Sequence, residues 1–136
     1  MKCLAILLLA ALTGFAGAQV YPSKPVRVVS TALAGAPPDT LLRALTPLAA
    51  QDLGQALVVD NRPGANGNVG AQAVARTTPD GYLLLFTAPA SLILSRLLEE
   101  SIPFDPDKDF APVIHLGELS GVIVAHPSLP AKNWQE

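Results

Sequence analysis

Three short apolar runs constrain the fold most: PVRVVST from Pro25, ALVVD from Ala56 and YLLLFT from Tyr82. Each is followed by residues at helical spacing. The first helical stretch runs from about Pro37 to Leu53 and is closed by Gly54, a residue suited to a left-handed C-cap. The second, NVGAQAVART, has Val69, Ala73 and Arg76 at helical intervals before the turn TTPDG, and the third, SLILSRLLEE, is short. Strand alternating with helix three times predicts an α/β fold, with three parallel strands joined by right-handed crossovers. YLLLFT is almost continuously apolar, the pattern of a parallel strand covered on both faces. Pro47 predicts a kink or break in the first helix, because proline removes a backbone hydrogen bond and costs about 3 kcal/mol in a helix interior.

Between the second strand and the second helix lies DNRPGANGNVGAQAVA, with glycines at 64, 67 and 70. A strand, a glycine turn and a helix form the setting in which backbone N–H groups hold a dinucleotide pyrophosphate. The spacing argues against that use. The fingerprint is G-x-G-x-x-G, whereas this segment is G-x-x-G-x-x-G, with Arg62 and Pro63 where the chain should turn tightly. Asp60 precedes the glycines, and Asp80 sits in a Pro-Asp-Gly turn, so no acidic residue stands where a ribose would need one.

Residues 1–18, MKCLAILLLAALTGFAGA, combine Lys2, an apolar stretch from Leu4 to Leu12 and small residues at Ala16 and Ala18. They read as a secretory signal peptide cleaved after Ala18, leaving Gln19 first. The apolar stretch falls short of the roughly 20 residues that span a bilayer. Cys3 is the chain's one cysteine and leaves with the signal, so disulfides, thiol catalysis and cysteine metal sites are excluded from the mature chain. Nine basic and eleven acidic residues are scattered without a basic stripe, which argues against nucleic acid as a partner.

After Ser101 the strand–helix rhythm stops. IPFDPDKDFAP reads as a proline-punctuated loop with acidic turn residues, and VIHLGELSGVIVAHP as one or two strands around Gly117 and Gly121. LPAKNWQE closes on Asn133 and Glu136 in capping-box spacing, a helix start with no helix behind it. The expectation is a piece of a longer protein, a frayed tail being the other reading.

An open sheet of this kind binds ligands beyond the carboxyl ends of its strands, where the strand order reverses. If strands one and three flank that crevice, the loops to consider are TALAGAPPD and TAPAS. Neither carries a catalytic set. His115 and His126 lie in the late strands without a partner serine, a carboxylate pair or metal-ligand spacing, so a structural role is expected for both. No cofactor, metal or catalytic residue is expected.

YPSKPVRVV, then Gly35 and Asp39 ahead of Arg43, LGQALVVDNRPGANGNVGAQAVA, TPDGYLLL, IPFDPDKDFAPV and HPSLPAKN occur in this order from Tyr21 onward. Together they resemble the substrate-binding proteins of tripartite tricarboxylate transporters, the Bug family of periplasmic receptors. The resemblance implies a two-lobed, type II periplasmic-binding-protein fold, in which residues 19–112 form the first α/β lobe. Residues 113–136 would be crossing strands and the start of a second lobe that is otherwise missing. It implies a non-catalytic periplasmic receptor that closes on a small carboxylated solute and delivers it to integral membrane subunits. The glycine segment then shapes a strand-to-helix junction, with Gly64 and Gly67 permitting the turn, Asn68 capping the helix, and a secondary contribution to the cleft rim.

The implied ligand contacts are Leu33, Ala34, Gly35, Ala36 and Asp39 in the first loop, and Thr87, Ala88, Ala90 and Ser91 in the loop after the third strand. A solute carboxylate there would meet backbone N–H groups and the positive end of the first helix. This chain departs from the family's Pro-Gly-Gly loop core: Pro37 and Pro38 remove two donors, and Ala36 adopts positive φ less freely than glycine. Asp39 has two readings, a polar ligand contact or a first-turn acid that favours the helix dipole and pairs with Arg43. One lobe alone leaves the site open, so tight binding is not expected of this chain. The competing classes are a small exported α/β enzyme, which would need a nucleophile, acid–base pair or metal in the crevice, and an interaction module pairing through exposed strands.

Overall fold

The computed structural model describes residues 20–98, 102–118, 121, 122, 124, 126 and 128–130. Both the signal peptide reading and the Asn133–Glu136 capping box lie outside the described residues. Strand β1 (Val26–Ser30) is central, flanked by β2 (Leu57–Asn61) and β3 (Leu83–Phe86), so the sheet order is β2-β1-β3. Both pairings are parallel: Val26 faces Leu57 and Ser30 faces Asn61, while Arg27 faces Leu83 and Ser30 faces Phe86. β1 takes the centre because Val26, Val28 and Val29 can all be buried; they form much of the core, with Leu42, Ala71 and Phe104.

Helix α1 (Pro37–Leu53) connects β1 to β2, α2 (Asn68–Ala75) connects β2 to β3, and α3 (Pro89–Leu98) follows β3. The chain moves outward from β1 to β2 and then back across β1 to β3. With right-handed crossovers this reversal puts α1 and α2 on opposite faces. It also opens a switch point between the carboxyl ends of β1 and β3.

α1 ends as its sequence predicts, with Gly54 as the C-cap at φ 67°. The predicted break at Pro47 does not occur. The helix is continuous through that proline, and the Thr46 hydroxyl donates to the Arg43 carbonyl at 3.2 Å, the oxygen a residue 47 N–H would otherwise reach. Pro47→Ala is therefore expected to stabilise the fold by about 1 kcal/mol, less than the roughly 3 kcal/mol that proline costs in a helix interior. The Arg43 carbonyl is already partly satisfied, and the more flexible alanine raises the entropy of the unfolded chain. Denaturant unfolding of the two proteins checks this; a less stable variant contradicts it.

Two further expectations need correction. β3 is half-buried along its length rather than covered on both faces, because it is an edge strand of a three-stranded sheet. In VIHLGELSGVIVAHP, none of the described residues is in a strand, and Val113, Ile114, Val122 and Val124 are exposed. A strand exists only through pairing, and nothing among the described residues pairs with this segment.

The PDGY and PFDPDKDF turns are held by side-chain hydrogen bonds within each turn and by contacts to other parts of the chain. In PDGY, Asp80 Oδ1 accepts from the Tyr82 N–H at 2.9 Å, and the Tyr21 hydroxyl donates to the Gly81 carbonyl at 2.7 Å. Tyr21 and Tyr82 meet edge to face at 5.1 Å between centroids. In PFDPDKDF, Asp109 Oδ2 accepts from the Asp105 N–H at 2.7 Å and Asp105 Oδ2 from Lys108 Nζ at 2.7 Å. Arg96 pairs with Asp107, which ties this turn to α3, and Phe104 packs edge-on to Phe110.

Candidate functional site

A cleft of about 470 Å³ opens beyond the carboxyl ends of the strands, at the switch point. Thr31 and Leu33 reach it from the loop after β1. Pro63, Gly64, Asn66 and Gly67 come from the segment after β2, and Ser91, Leu94, Ser95 and Leu98 from α3. The Thr31 N–H donates to the Phe86 carbonyl at 3.1 Å, and its Oγ1 donates to Thr87 Oγ1 at 2.9 Å. Hydroxyls therefore bridge β1 and β3 at the point where the sheet parts.

The glycine segment forms a left-handed turn: Gly64, Ala65, Asn66 and Gly67 all have positive φ, at 118°, 45°, 53° and 95°. Gly67 is the N-cap of α2. This corrects the role expected for Asn68, which is instead the first helical residue and is buried; a side-chain cap is unnecessary where glycine turns the chain. Ala65 and Asn66 hold a conformation that L-residues seldom adopt, and such strain gathers at ligand clamps. The segment contributes Pro63, Gly64, Asn66 and Gly67 to the cleft lining.

The first-loop residues divide. Leu33 lines the cleft with Ser91 from the second loop. The Gly35 N–H donates to Asp39 Oδ2 at 2.8 Å, and the Ala36 N–H to the Leu33 carbonyl at 3.1 Å, so both donors are engaged within the loop. Ala34 is exposed and Thr87 partners Thr31; the Ala88 carbonyl accepts from the Ser91 N–H at 2.9 Å, and Ala90 lies in the first turn of α3.

Asp39 is buried in a closed ring of hydrogen bonds. Arg43 Nε donates to its Oδ2 at 2.9 Å, Arg43 Nη2 to Asn61 Oδ1 at 2.7 Å, and Asn61 Nδ2 to Asp39 Oδ1 at 2.7 Å. Asn61 also donates to the Ala32 carbonyl at 3.1 Å. The ring locks the start of α1 to the end of β2 and to the loop after β1. The Arg43 guanidinium, the Asn61 amide and the Gly35 N–H hold the Asp39 carboxyl down from its ordinary 3.8 to about 2. The Arg43 pairing was foreseen; the Asn61 contact was not, since no periodicity relates two residues of different elements.

His126 does have a serine beside it, contrary to expectation: Ser128 Oγ lies 2.7 Å from its Nδ1, which also accepts the Ser128 N–H at 3.2 Å. Two residues apart and exposed, they form a local turn contact. Asn66, Leu94, Ser95 and Leu98 are cleft residues that sequence reasoning did not single out by themselves, whereas Thr31 opens the TALAGAPPD loop and Gly64 and Gly67 lie in the segment expected at the rim. Leu94, Ser95 and Leu98 share one face of α3 at helical spacing, and only the packing of that helix shows that this face meets the cleft.

The profile of the tripartite tricarboxylate transporter family receptors matches residues 41–136. The chain belongs to that family. A UPF0065 protein from Bordetella bronchiseptica is 44% identical over 98% of this chain and 40% of its own length. The protein BugT from Bordetella pertussis is 36% identical over 82% of the chain and 35% of its own length. Among solved structures, MatC from Rhodopseudomonas palustris with bound malate is 35% identical, with TM-score 0.64, covering 68% of this chain and 32% of MatC. A second R. palustris protein, solved with adipate, is 31% identical with TM-score 0.60 over 64% of this chain and 29% of its own. This receptor-family chain therefore spans well under half the length of the relatives it matches. Its three-stranded α/β layer corresponds to part of a periplasmic-binding-protein architecture. No helix among the described residues is long and apolar enough to cross a membrane.

Proposed function

We propose that this chain supplies the first lobe of an extracytoplasmic receptor of a tripartite tricarboxylate-type transporter. It takes a small carboxylated solute into the cleft and passes it to integral membrane subunits, after export by a cleavable signal. The observation that carries this reading is the cleft at the switch point, lined by hydroxyls, one amide and the Gly64–Gly67 turn. Uncharged donors suit reversible capture of an anion, because hydrogen bonds to a charged acceptor are stronger than neutral ones while no fixed cation among the described lining residues retains the solute. The relatives solved with malate and adipate support the carboxylate class.

A single wall leaves the solute in contact with water. Solvent-exposed ionic contacts are commonly worth about 1 kcal/mol or less, whereas micromolar affinity needs about 8 kcal/mol. The 136-residue chain alone is therefore expected to bind dicarboxylates only at millimolar concentration. Amide NMR titration with adipate and malate tests both points. Saturable shifts are expected at Thr31, Gly64, Gly67 and Ser91, and equal shifts with sodium chloride or an uncharged diol would overturn the carboxylate reading. Micromolar saturation would overturn the affinity estimate.

A further inference from the structure

Helix α3 turns one face toward the cleft, with Ser91, Leu94, Ser95 and Leu98 at positions i, i+3, i+4 and i+7. Ser95 is 3% exposed, and its Oγ has no hydrogen-bond partner among the described residues. A buried hydroxyl left unpaired is destabilising, and nothing in helix packing requires one there, since alanine would fill the same space with better helix propensity. Its neighbours on the same face are Ser91, Leu94 and Leu98; the two leucines, with Leu33 from the β1 loop, give the cleft an apolar stretch beside the hydroxyls. Among the described residues, no charged side chain lines the cleft.

We propose that Ser95 is a specificity-determining ligand residue: its Oγ donates to a carboxylate oxygen of a linear solute whose unsubstituted carbon chain lies against Leu94 and Leu98. This rests on the receptor reading above and narrows it. A carboxylate gives the orphan hydroxyl an acceptor, and a plain methylene chain is what leucine side chains accommodate without stranding polar groups. A branched tricarboxylate such as citrate presses a hydroxyl and a third carboxylate against the Leu94 and Leu98 side chains, which cannot pair them.

The test compares wild type with Ser95→Ala by amide NMR titration with adipate and with citrate, alongside thermal unfolding. Wild type is expected to bind adipate about fivefold more tightly than citrate, and Ser95→Ala to weaken adipate about five- to tenfold, as loss of one hydrogen bond to a charged acceptor at a partly open site implies. The melting temperature of Ser95→Ala should be unchanged or higher, because the substitution removes an unpaired buried group. A drop of several degrees would mean that the hydroxyl has an internal partner, and would overturn the proposal. So would unchanged adipate affinity in Ser95→Ala, or citrate binding as tightly as adipate. If no carboxylate perturbs the cleft of the wild type, the receptor reading itself falls, and this inference with it.

Discussion

Asp39→Ala is expected to lower the thermal midpoint by about 10 °C, a large shift for a domain of this size. The loss comes less from Arg43, whose half-exposed side chain can return to water, than from what stays behind. The Asn61 amide and the Gly35 N–H both lose their acceptor at a buried point, and an unmade hydrogen bond there costs more than a made one contributes. Asp39→Asn should recover only part of the loss, since its amide can accept from Asn61 but presents N–H groups to the Gly35 and Arg43 donors. The charge gives the effect a pH signature. A carboxyl held at about 2 when folded and near 3.8 otherwise contributes stability that is complete above the upper value. That contribution is lost as pH falls through the lower value. Melting temperatures measured from pH 7 to pH 2 should therefore fall more steeply for wild type than for Asp39→Asn. Parallel curves would show that the Asp39 charge does not stabilise the fold.

Gly70→Ala is expected to destabilise the protein by about 1–3 kcal/mol, the usual range for overpacking, even though alanine is the better helix former by about 1 kcal/mol. A Cβ at this position would stand 3.0 Å from the Arg62 carbonyl oxygen, 3.0 Å from Thr31 Cγ2 and 3.3 Å from Val29 Cγ1. The carbonyl is backbone and cannot rotate aside, so α2 must lift from β1. Because Thr31 is one of the crowded groups and also lines the cleft, the same substitution should shift the Thr31 and Gly67 amide resonances. Urea unfolding measures the first effect, with Val69→Ala, an exposed position on the same helix, as a control expected to change stability by less than about 0.5 kcal/mol. A Gly70→Ala protein as stable as wild type would mean that helix propensity outweighs the contact.

The sequence by itself determined the elements and their class. Period-two and continuous apolar runs broken by helical spacing gave three strands and three helices, and Gly54 closed the first helix, because these signals are local to a few residues of chain. The family, too, was readable in the order of NRPGANGNVGA, PDGY and PFDPDKDF, motifs whose rigid turns are built from neighbouring side chains and backbone. Tertiary structure decided everything that depends on residues distant in sequence. Asp39 became a structural hub because Asn61, at the end of another strand, supplies an amide to it. The glycine segment became a cleft wall only because the order β2-β1-β3 brings it beside α3. Ser95 looked like any small helical residue until packing buried its hydroxyl without a partner. The apolar segment from Val113 onward has strand composition yet forms no strand among its described residues, since a sheet is made by hydrogen bonds to a neighbour and composition alone does not provide one.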